Sequence, residues 1–294
     1  MSSKVLITGA NGFTGRYLCK YLENLGYEIF GVDTNNCDIS NINSIKSALK
    51  FNADFIIHLA AIAFAPSNPE LIENINFAGS KNLLDAISEL KIKPQRVILA
   101  SSASIYGAQK EQILSEDLNP NPLSPYAKSK WEMEKIAKEY DFNILITRPF
   151  NYTGVGQNSN FLIPKIVSHF KQKSKIIELG NLTPQREYNN ILDVIKIYEK
   201  LLHINCDEQI FNIGSGIGCS IVEILDLMRE ISGHDIKVVQ NPNFMRNDEA
   251  QKIICNTSRL KKYGIDLCRS NLKKTLIWMY GGGGNEKGSC SRLV

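Results

Sequence analysis

The chain has 294 residues, 43% of them hydrophobic and 22% charged, with a formal net charge of +4. That is enough apolar content for a sizeable core, in one large domain or in a domain plus a smaller lobe. The charge is too mild, and the Lys and Arg residues too scattered, for a nucleic-acid track.

Strand and helix patterns alternate from the start. Lys4–Thr8 is a short apolar run leading into a glycine turn. Phe13–Leu25 carries Phe13, Tyr17, Leu18, Tyr21, Leu22 and Leu25 at helical spacing, and Gly26 is placed to stop it. Tyr27–Val32 reads as a second strand, Ile42–Leu49 as a helix and Asp54–Leu59 as a third strand. Glu73–Leu90 is a longer helix, Arg96–Ser101 a fourth strand, Pro125–Tyr140 a helix and Asn143–Thr147 a strand. Such alternation implies βαβ units with right-handed crossovers, hence a parallel sheet covered on both faces. The expected fold class is therefore α/β, a Rossmann-type doubly wound parallel sheet with a smaller C-terminal substrate-binding lobe. The pattern loosens after Arg148, with a helix at Asn190–His203, a strand at Gln209–Ile213 and a helix at Ile221–Ile231. This divides the chain into a dinucleotide-binding part, 1–150, and a lobe, 151–280, intertwined with it. The glycine-rich tail, 281–294, is expected to be disordered or foreign to the folded domain.

No run is apolar enough for a signal peptide or a membrane span, so a cytoplasmic protein with no membrane partner is expected. The 7 cysteines are odd in number and lack CxxC spacing, which suits reduced thiols better than disulfides or zinc. His169, His203 and His234 are isolated, so no metal is expected.

Gly9, Gly12 and Gly15 follow the first strand and open the first helix. Glycine permits the tight turn and a close approach to a pyrophosphate, which the free N–H groups of the helix start then favour. Asp33, ending the second strand, suits the adenosine ribose hydroxyls and would repel a 2′-phosphate. That tilts the cofactor toward NAD and leaves NADP open, while a turn-forming Asp is the plainer reading. Asp38 and Ile39 are candidates to flank the adenine.

Tyr126 and Lys130 lie four residues apart on one face of a predicted helix. An ammonium beside a phenol favours phenolate and is expected to lower the tyrosine pKa. Ser101 or Ser102, ending the fourth strand, is positioned to hydrogen-bond a reacting oxygen, at the sheet edge where doubly wound folds bind ligands.

Together these segments resemble the extended short-chain dehydrogenase/reductase family, in its nucleotide-sugar epimerase, dehydratase and reductase branch, from Lys4 to about Trp278. GANGFTG looks like the family's cofactor loop and brings Asn11 and Phe13 into the cofactor set with the three glycines. HLAA, at His58–Ala61, resembles the strand that lines the cofactor, through Leu59, Ala60 and Ala61, with His58 in a structural position. Asn76 in NFAGS matches a position that supports the cofactor site. SSASIYG and YAKSK match the active-site segments, which makes Ser102, Tyr126 and Lys130 the catalytic set. RPFNYTGVGQ is similar to the segment whose Asn, here Asn151, contacts the sugar diphosphate. QREYNNILDV looks like the family's Arg-plus-aromatic segment, a likeness that implies Arg186 as a diphosphate ligand, and MRNDE resembles the later Arg site at Arg246, with Asn247 where proline is usual. Convergent guanidinium groups suit a diphosphate. The resemblance also implies a nucleotide-diphosphate sugar as substrate and a homodimer seamed by helices Glu73–Leu90 and Pro125–Tyr140. Leu83, Leu84, Ile87, Trp131 and Met133 are candidates for its apolar contacts, with packing on the sheet as the alternative for the same residues.

The branch's 4,6-dehydratases carry acidic groups directly after the catalytic hydroxyl, where this chain has Ala103 and Ser104. Dehydration is therefore not expected. LSPYAKSK, RPFNYTGVGQ and IELGNLTPQREY look most like the GDP-4-keto-6-deoxymannose reductase and GDP-mannose dehydratase group. The expected activity is hydride transfer from NAD(P)H to C4 of a GDP- or dTDP-linked 4-keto-6-deoxy sugar. An NAD-dependent nucleotide-sugar 4-epimerase is the alternative, and a non-catalytic dinucleotide-binding sensor or scaffold is the alternative of another class.

Overall fold

The computed structural model describes residues 2–63, 68–245, 250–266 and 271–282. Its first part runs β1 (Lys4–Thr8), α1 (Phe13–Asn24), β2 (Glu28–Val32), α2 (Ile42–Leu49), β3 (Phe55–His58), α3 (Pro69–Ile72), α4 (Gly79–Ser88), β4 (Arg96–Ala100), β5 (Ile113–Leu114), α5 (Pro125–Ala137) and β6 (Ile144–Pro149). It continues through β7 (Tyr152–Thr153), α6 (Leu162–Lys171), β8 (Ile176–Leu179), β9 (Gln185–Arg186), β10 (Asn189–Asn190), α7 (Ile191–His203) and β11 (Ile210–Ile213). The last elements are α8 (Ile221–Ser232), β12 (Lys237–Gln240), β13 (Lys252–Cys255), α9 (Ser258–Lys262) and α10 (Leu272–Tyr280).

Six strands form one sheet in the order β11-β6-β4-β3-β1-β2. Every pairing in it is parallel, as in the registers Val5↔Phe55 and Ile57↔Ile98. The strands are near-continuous apolar runs because both faces are covered. On one face Val5, Ile7, Phe55 and Ile57 pack with Leu18 and Leu22 of α1 and with Val194, Ile195 and Tyr198 of α7. On the other face Leu6, Ile56, Val97 and Leu99 pack with Ile45 of α2, Leu83, Leu84 and Ile87 of α4, and Met133 of α5. Successive residues of one strand thus serve opposite layers.

β11 and α7 come from beyond residue 150 yet belong to the sheet and its cover. A separate core joins α6, α8 and α10 to β8 and β12 through Ile166, Phe170, Ile177, Ile224, Met228 and Leu276. α6 has no counterpart in the sequence reading. Pro164 stands in its first turn, where a missing N–H costs nothing, but it reads in sequence as a break.

Two expectations change. The helix predicted from Glu73 begins at Pro69, because Asn68 Oδ1 caps it by accepting from Leu71 N at 2.9 Å. A π-helical stretch, Glu73–Ala78, then separates α3 from α4. The second concerns the residues offered to a dimer seam. Leu83, Leu84, Ile87 and Met133 are each at most 1% exposed and lie in the core of one chain, and Trp131 packs beside Ile105 and Phe150. Leu83, Leu84, Ile87 and Met133 thus pack on the sheet, the other of the two readings open to them. The segment 283–294 of the expected tail lies outside the described residues.

Candidate active site

In the sheet order the chain moves outward from β1 to β2 and then, through β3, to the other side of β1. The strand ends at that reversal form the crevice where doubly wound sheets bind ligands. The glycine loop follows β1, Leu59–Ala61 follow β3, and Ser101 and Ser102 follow β4.

The loop is built for close approach. Gly9 has φ +72°, and a Cβ there would fall 2.8 Å from Ala60 N. A Cβ on Gly15 would fall 2.3 Å from Gly9 O. Gly12 is the N-cap of α1, where no side chain caps the helix and no acidic residue stands in the first turn. Asn11 and Gly12 are exposed, and Phe13 is half-buried. Uncapped N–H groups at a helix start above a side-chain-free cradle fit a dinucleotide pyrophosphate.

Asp33 serves as the turn residue and also meets the glycine loop. Its Oδ1 accepts from Asn35 N at 2.7 Å as a turn residue, and its Oδ2 accepts from Asn11 Nδ2 of the glycine loop. Asp38 Oδ1 holds Ser40 N at 2.9 Å and Ser40 Oγ at 2.7 Å, so its carboxylate shapes the next turn. Ile39 is 7% exposed and fills the space opposite Gly79. Its side chain serves the core, which leaves only its backbone for an adenine.

Leu59 N donates to Thr8 O at 3.2 Å and Ala60 N to Thr8 Oγ1 at 3.3 Å, so the Leu59–Ala61 segment is tied to the end of β1. Asn76, fully buried in the π stretch, accepts from Ile62 N at 2.7 Å and donates to Ile62 O at 3.0 Å and Ser129 Oγ at 3.1 Å. It pins this loop to α5. His58 is fully buried, with Nδ1 at 2.7 Å from Thr8 Oγ1 and Nε2 at 2.9 Å from Ser80 Oγ. Burial first, and the Lys130 charge second, hold its pKa down to about 3, so it is a neutral structural group.

α5 delivers the Tyr–Lys pair. Ser124 caps it by accepting from Ala127 N at 3.1 Å, and Pro125 opens it. Lys130 is 1% exposed, with its ammonium 6.0 Å from the centre of the Tyr126 ring. Burial lowers the Lys130 pKa to about 8, and Glu134, one turn further along, opposes the fall. The tyrosine departs from expectation. Burial pushes the Tyr126 phenol up, the Tyr152 phenol adds to the rise, and a hydrogen bond with Ser102 works against it. Desolvation of the phenolate outweighs any help from the ammonium. Ser102 also caps a short 3-10 turn, Ala103–Tyr106, by accepting from Ser104 N at 3.1 Å. Ser101 is buried, which leaves Ser102 as the serine beside the phenol.

Sequence reasoning missed the support beneath this pair. Glu134 and Arg148, 0% and 2% exposed, form an ion pair at 2.7 Å. Arg148 also donates to Tyr106 Oη at 2.9 Å and Glu116 O at 3.1 Å, and Tyr106 donates to Asn212 Oδ1 at 2.7 Å. The signal was present: Glu134 follows Lys130 by four residues and so shares its helix face.

Of the diphosphate candidates, Asn151 is exposed, with its carbonyl accepting from Asn189 N at 2.9 Å beside the β7–β10 pair. Arg186 is half-buried on β9, which pairs with β13. The next residue, Glu187, is 1% exposed and accepts from Cys255 N at 2.6 Å, Ser215 N at 2.7 Å and Gly216 N at 3.1 Å. This carboxylate, also missed in sequence, ties the Arg186 segment to two others. Arg246 lies outside the described residues. Among the described residues, no three His, Cys, Asp or Glu side chains gather to hold a metal, and no helix is long and apolar enough to cross a membrane.

A family model, the NAD dependent epimerase/dehydratase family, matches residues 5–214. The chain belongs to this family. A GDP-6-deoxy-D-talose 4-dehydrogenase of Aggregatibacter actinomycetemcomitans is 40% identical over 94% of this chain and 97% of its own. A GDP-6-deoxy-D-mannose reductase of Pseudomonas aeruginosa is 28% identical over 88% and 90%. The structure of RMD from Pseudomonas aeruginosa complexed with NADPH superposes with a TM-score of 0.84 at 26% identity, covering 96% of this chain and 97% of that one. As a family member, the chain is an NAD(P)-dependent enzyme with a Rossmann-type parallel sheet.

Proposed function

We propose that this protein is a nicotinamide-dependent oxidoreductase that interconverts the C4 ketone and C4 hydroxyl of a GDP-linked 6-deoxyhexose. The observation that carries this reading is the half-buried Tyr126 phenol beside Ser102, with the Lys130 ammonium 6.0 Å from its ring centre, near the strand ends that carry the glycine loop. A phenol whose pKa is raised is a proton donor at neutral pH, as ketone reduction requires. When bound, the dinucleotide supplies the hydride. Tyr126 gives its proton to the oxygen at C4, Ser102 holds that oxygen, and the Lys130 ammonium stabilises the charge that develops there. Asn151 and Arg186, with Arg246, are proposed to hold the diphosphate.

Both relatives named above act on GDP-linked 6-deoxy sugars, which supports GDP over dTDP. Talose and mannose differ in configuration at C4, so one ketone yields either product according to the face that receives hydride. The 40% identity to the talose enzyme supports the talo product here. The Asp33 carboxylate at the end of β2 supports NAD(H) over NADP(H), since it would repel a 2′-phosphate. A homodimer rests on the family resemblance, and a light-scattering mass of one chain contradicts it. A cytoplasmic location rests on the 7 cysteines, whose number and spacing suit reduced thiols.

The direct test is Tyr126→Phe. Turnover with NADH and GDP-4-keto-6-deoxymannose is expected to fall about 10²–10⁴-fold with NADH affinity retained. Unchanged turnover contradicts the assignment of the proton donor. The 4-epimerase reading predicts instead that NAD leaves the purified protein only on denaturation, with no net consumption of NADH.

A further inference from the structure

The segment that follows Asn151 lies along the start of α1. The Tyr152 hydroxyl shares a hydrogen bond with Thr14 Oγ1 at 2.8 Å. The Tyr152 ring is nearly parallel to that of Phe13, with 12° between the planes and 6.1 Å between the centroids. Further along, Tyr17 Oη donates to Val155 O at 2.7 Å and Arg16 Nη2 donates to Gly156 O at 3.2 Å. Phe13 and Thr14 open α1 directly after the Gly12 cap, in the turn whose N–H groups face the anion cradle. Tyr152 also lies near enough to Tyr126 for charge on one phenol to disfavour charge on the other. It therefore stands between the glycine loop, the proton donor and the loop that presents Asn151.

We propose that Tyr152 is a positioning residue that couples dinucleotide binding to nucleotide-sugar binding. This rests on the cofactor reading of the glycine loop. A pyrophosphate held by the first turn of α1 immobilises Phe13 and Thr14. That turn fixes Tyr152 by one hydrogen bond and one ring contact, and Tyr152 fixes its neighbour Asn151. The second ligand then meets a loop whose ordering cost is already met, so each ligand tightens the other by the same factor. A merely structural Tyr152–Thr14 bond would alter stability and leave that factor untouched.

The experiment is a fluorescence titration of NADH into the full-length protein, with and without saturating GDP, read as the ratio of the two dissociation constants. In the wild-type protein GDP is expected to tighten NADH about fivefold or more. Tyr152→Phe keeps the ring on Phe13 and removes only the hydroxyl, and it should bring the ratio to within about twofold of one. Thr14→Val, acting at the other end of the bond, should do the same. Tyr17→Phe breaks a neighbouring contact of the same interface and should leave the ratio as in the wild type. An unchanged ratio in Tyr152→Phe and Thr14→Val overturns the proposal, and so does a wild-type ratio of one. Equal loss in Tyr17→Phe overturns it too, by assigning the coupling to the interface as a whole. Failure to bind NADH in any form contradicts the cofactor reading itself.

Discussion

Lys130 carries the pH dependence of the proposed reaction. Its pKa is brought down to about 8 because its ammonium is buried, while the Tyr126 phenol is pushed the other way. As pH rises through about 8, Lys130 loses its charge while the phenol keeps its proton. The rate of ketone reduction should therefore fall above about pH 8, and the limb belongs to Lys130. Glu134 raises the Lys130 pKa, so Glu134→Gln should move that limb to lower pH. The same variant strands the Arg148 charge and should cost about 3–5 kcal/mol of stability. A pH–rate profile of both proteins checks the direction, and a limb that stays in place removes Glu134 from the electrostatics of the site. The candidate residues at this centre were legible in sequence only together, since the Tyr126–Lys130 spacing is common on helices and gains meaning beside the glycine loop and the serine pair. The sign of the tyrosine shift was not, because desolvation depends on what encloses the ring.

At the scale of elements, the turn from β1 to α1 depends on Gly15. A methyl group there would meet the carbonyl oxygens of Gly9 and Ala10 at 2.3 and 2.6 Å, and neither can yield without reshaping the cradle. Gly15→Ala should abolish NADH binding and lower stability by about 1–3 kcal/mol. NADH binding at wild-type affinity would contradict the cradle reading. The end of β3 makes a second prediction. His58 is held neutral with a pKa near 3, whereas an unfolded histidine takes up a proton near 6.5. Between those values the unfolded chain binds the extra proton, so stability falls as pH drops from about 6.5 toward 3. His58→Asn should flatten the slope of the melting temperature across that window, and an unchanged slope would mean that other groups set it. The strands and helices of the sheet were readable because each is a short apolar run or an amphipathic period. α6 was hidden by Pro164, and the start of α3 by Pro69, since proline reads in sequence as a break although both stand in first turns.

At the scale of the whole molecule, chain order and spatial order diverge after residue 150. α7 and β11 return to complete the sheet, and the Arg148–Tyr106–Asn212 hydrogen bonds join β6 and β11 beneath the site. No local pattern reveals such a return, because Ile210–Ile213 looks the same in sequence whichever strand it pairs with. The burial of Leu83, Leu84, Ile87 and Met133 has the same origin: a helix stripe does not state whether it faces a sheet or a partner. The candidate site was legible where one segment carries it, as in the glycine loop. It was not legible where partners lie far apart in the chain, as with Thr14 and Tyr152 or Glu187 and Cys255.

Reduction of a C4 ketone on a GDP-linked sugar requires all of these elements together. It is read out as the loss of NADH absorbance on mixing the purified protein with GDP-4-keto-6-deoxymannose, with the dTDP-linked 4-keto sugar run alongside. Stoichiometric loss of NADH is expected with the GDP sugar. No loss with either sugar, from protein that binds NADH, would contradict it.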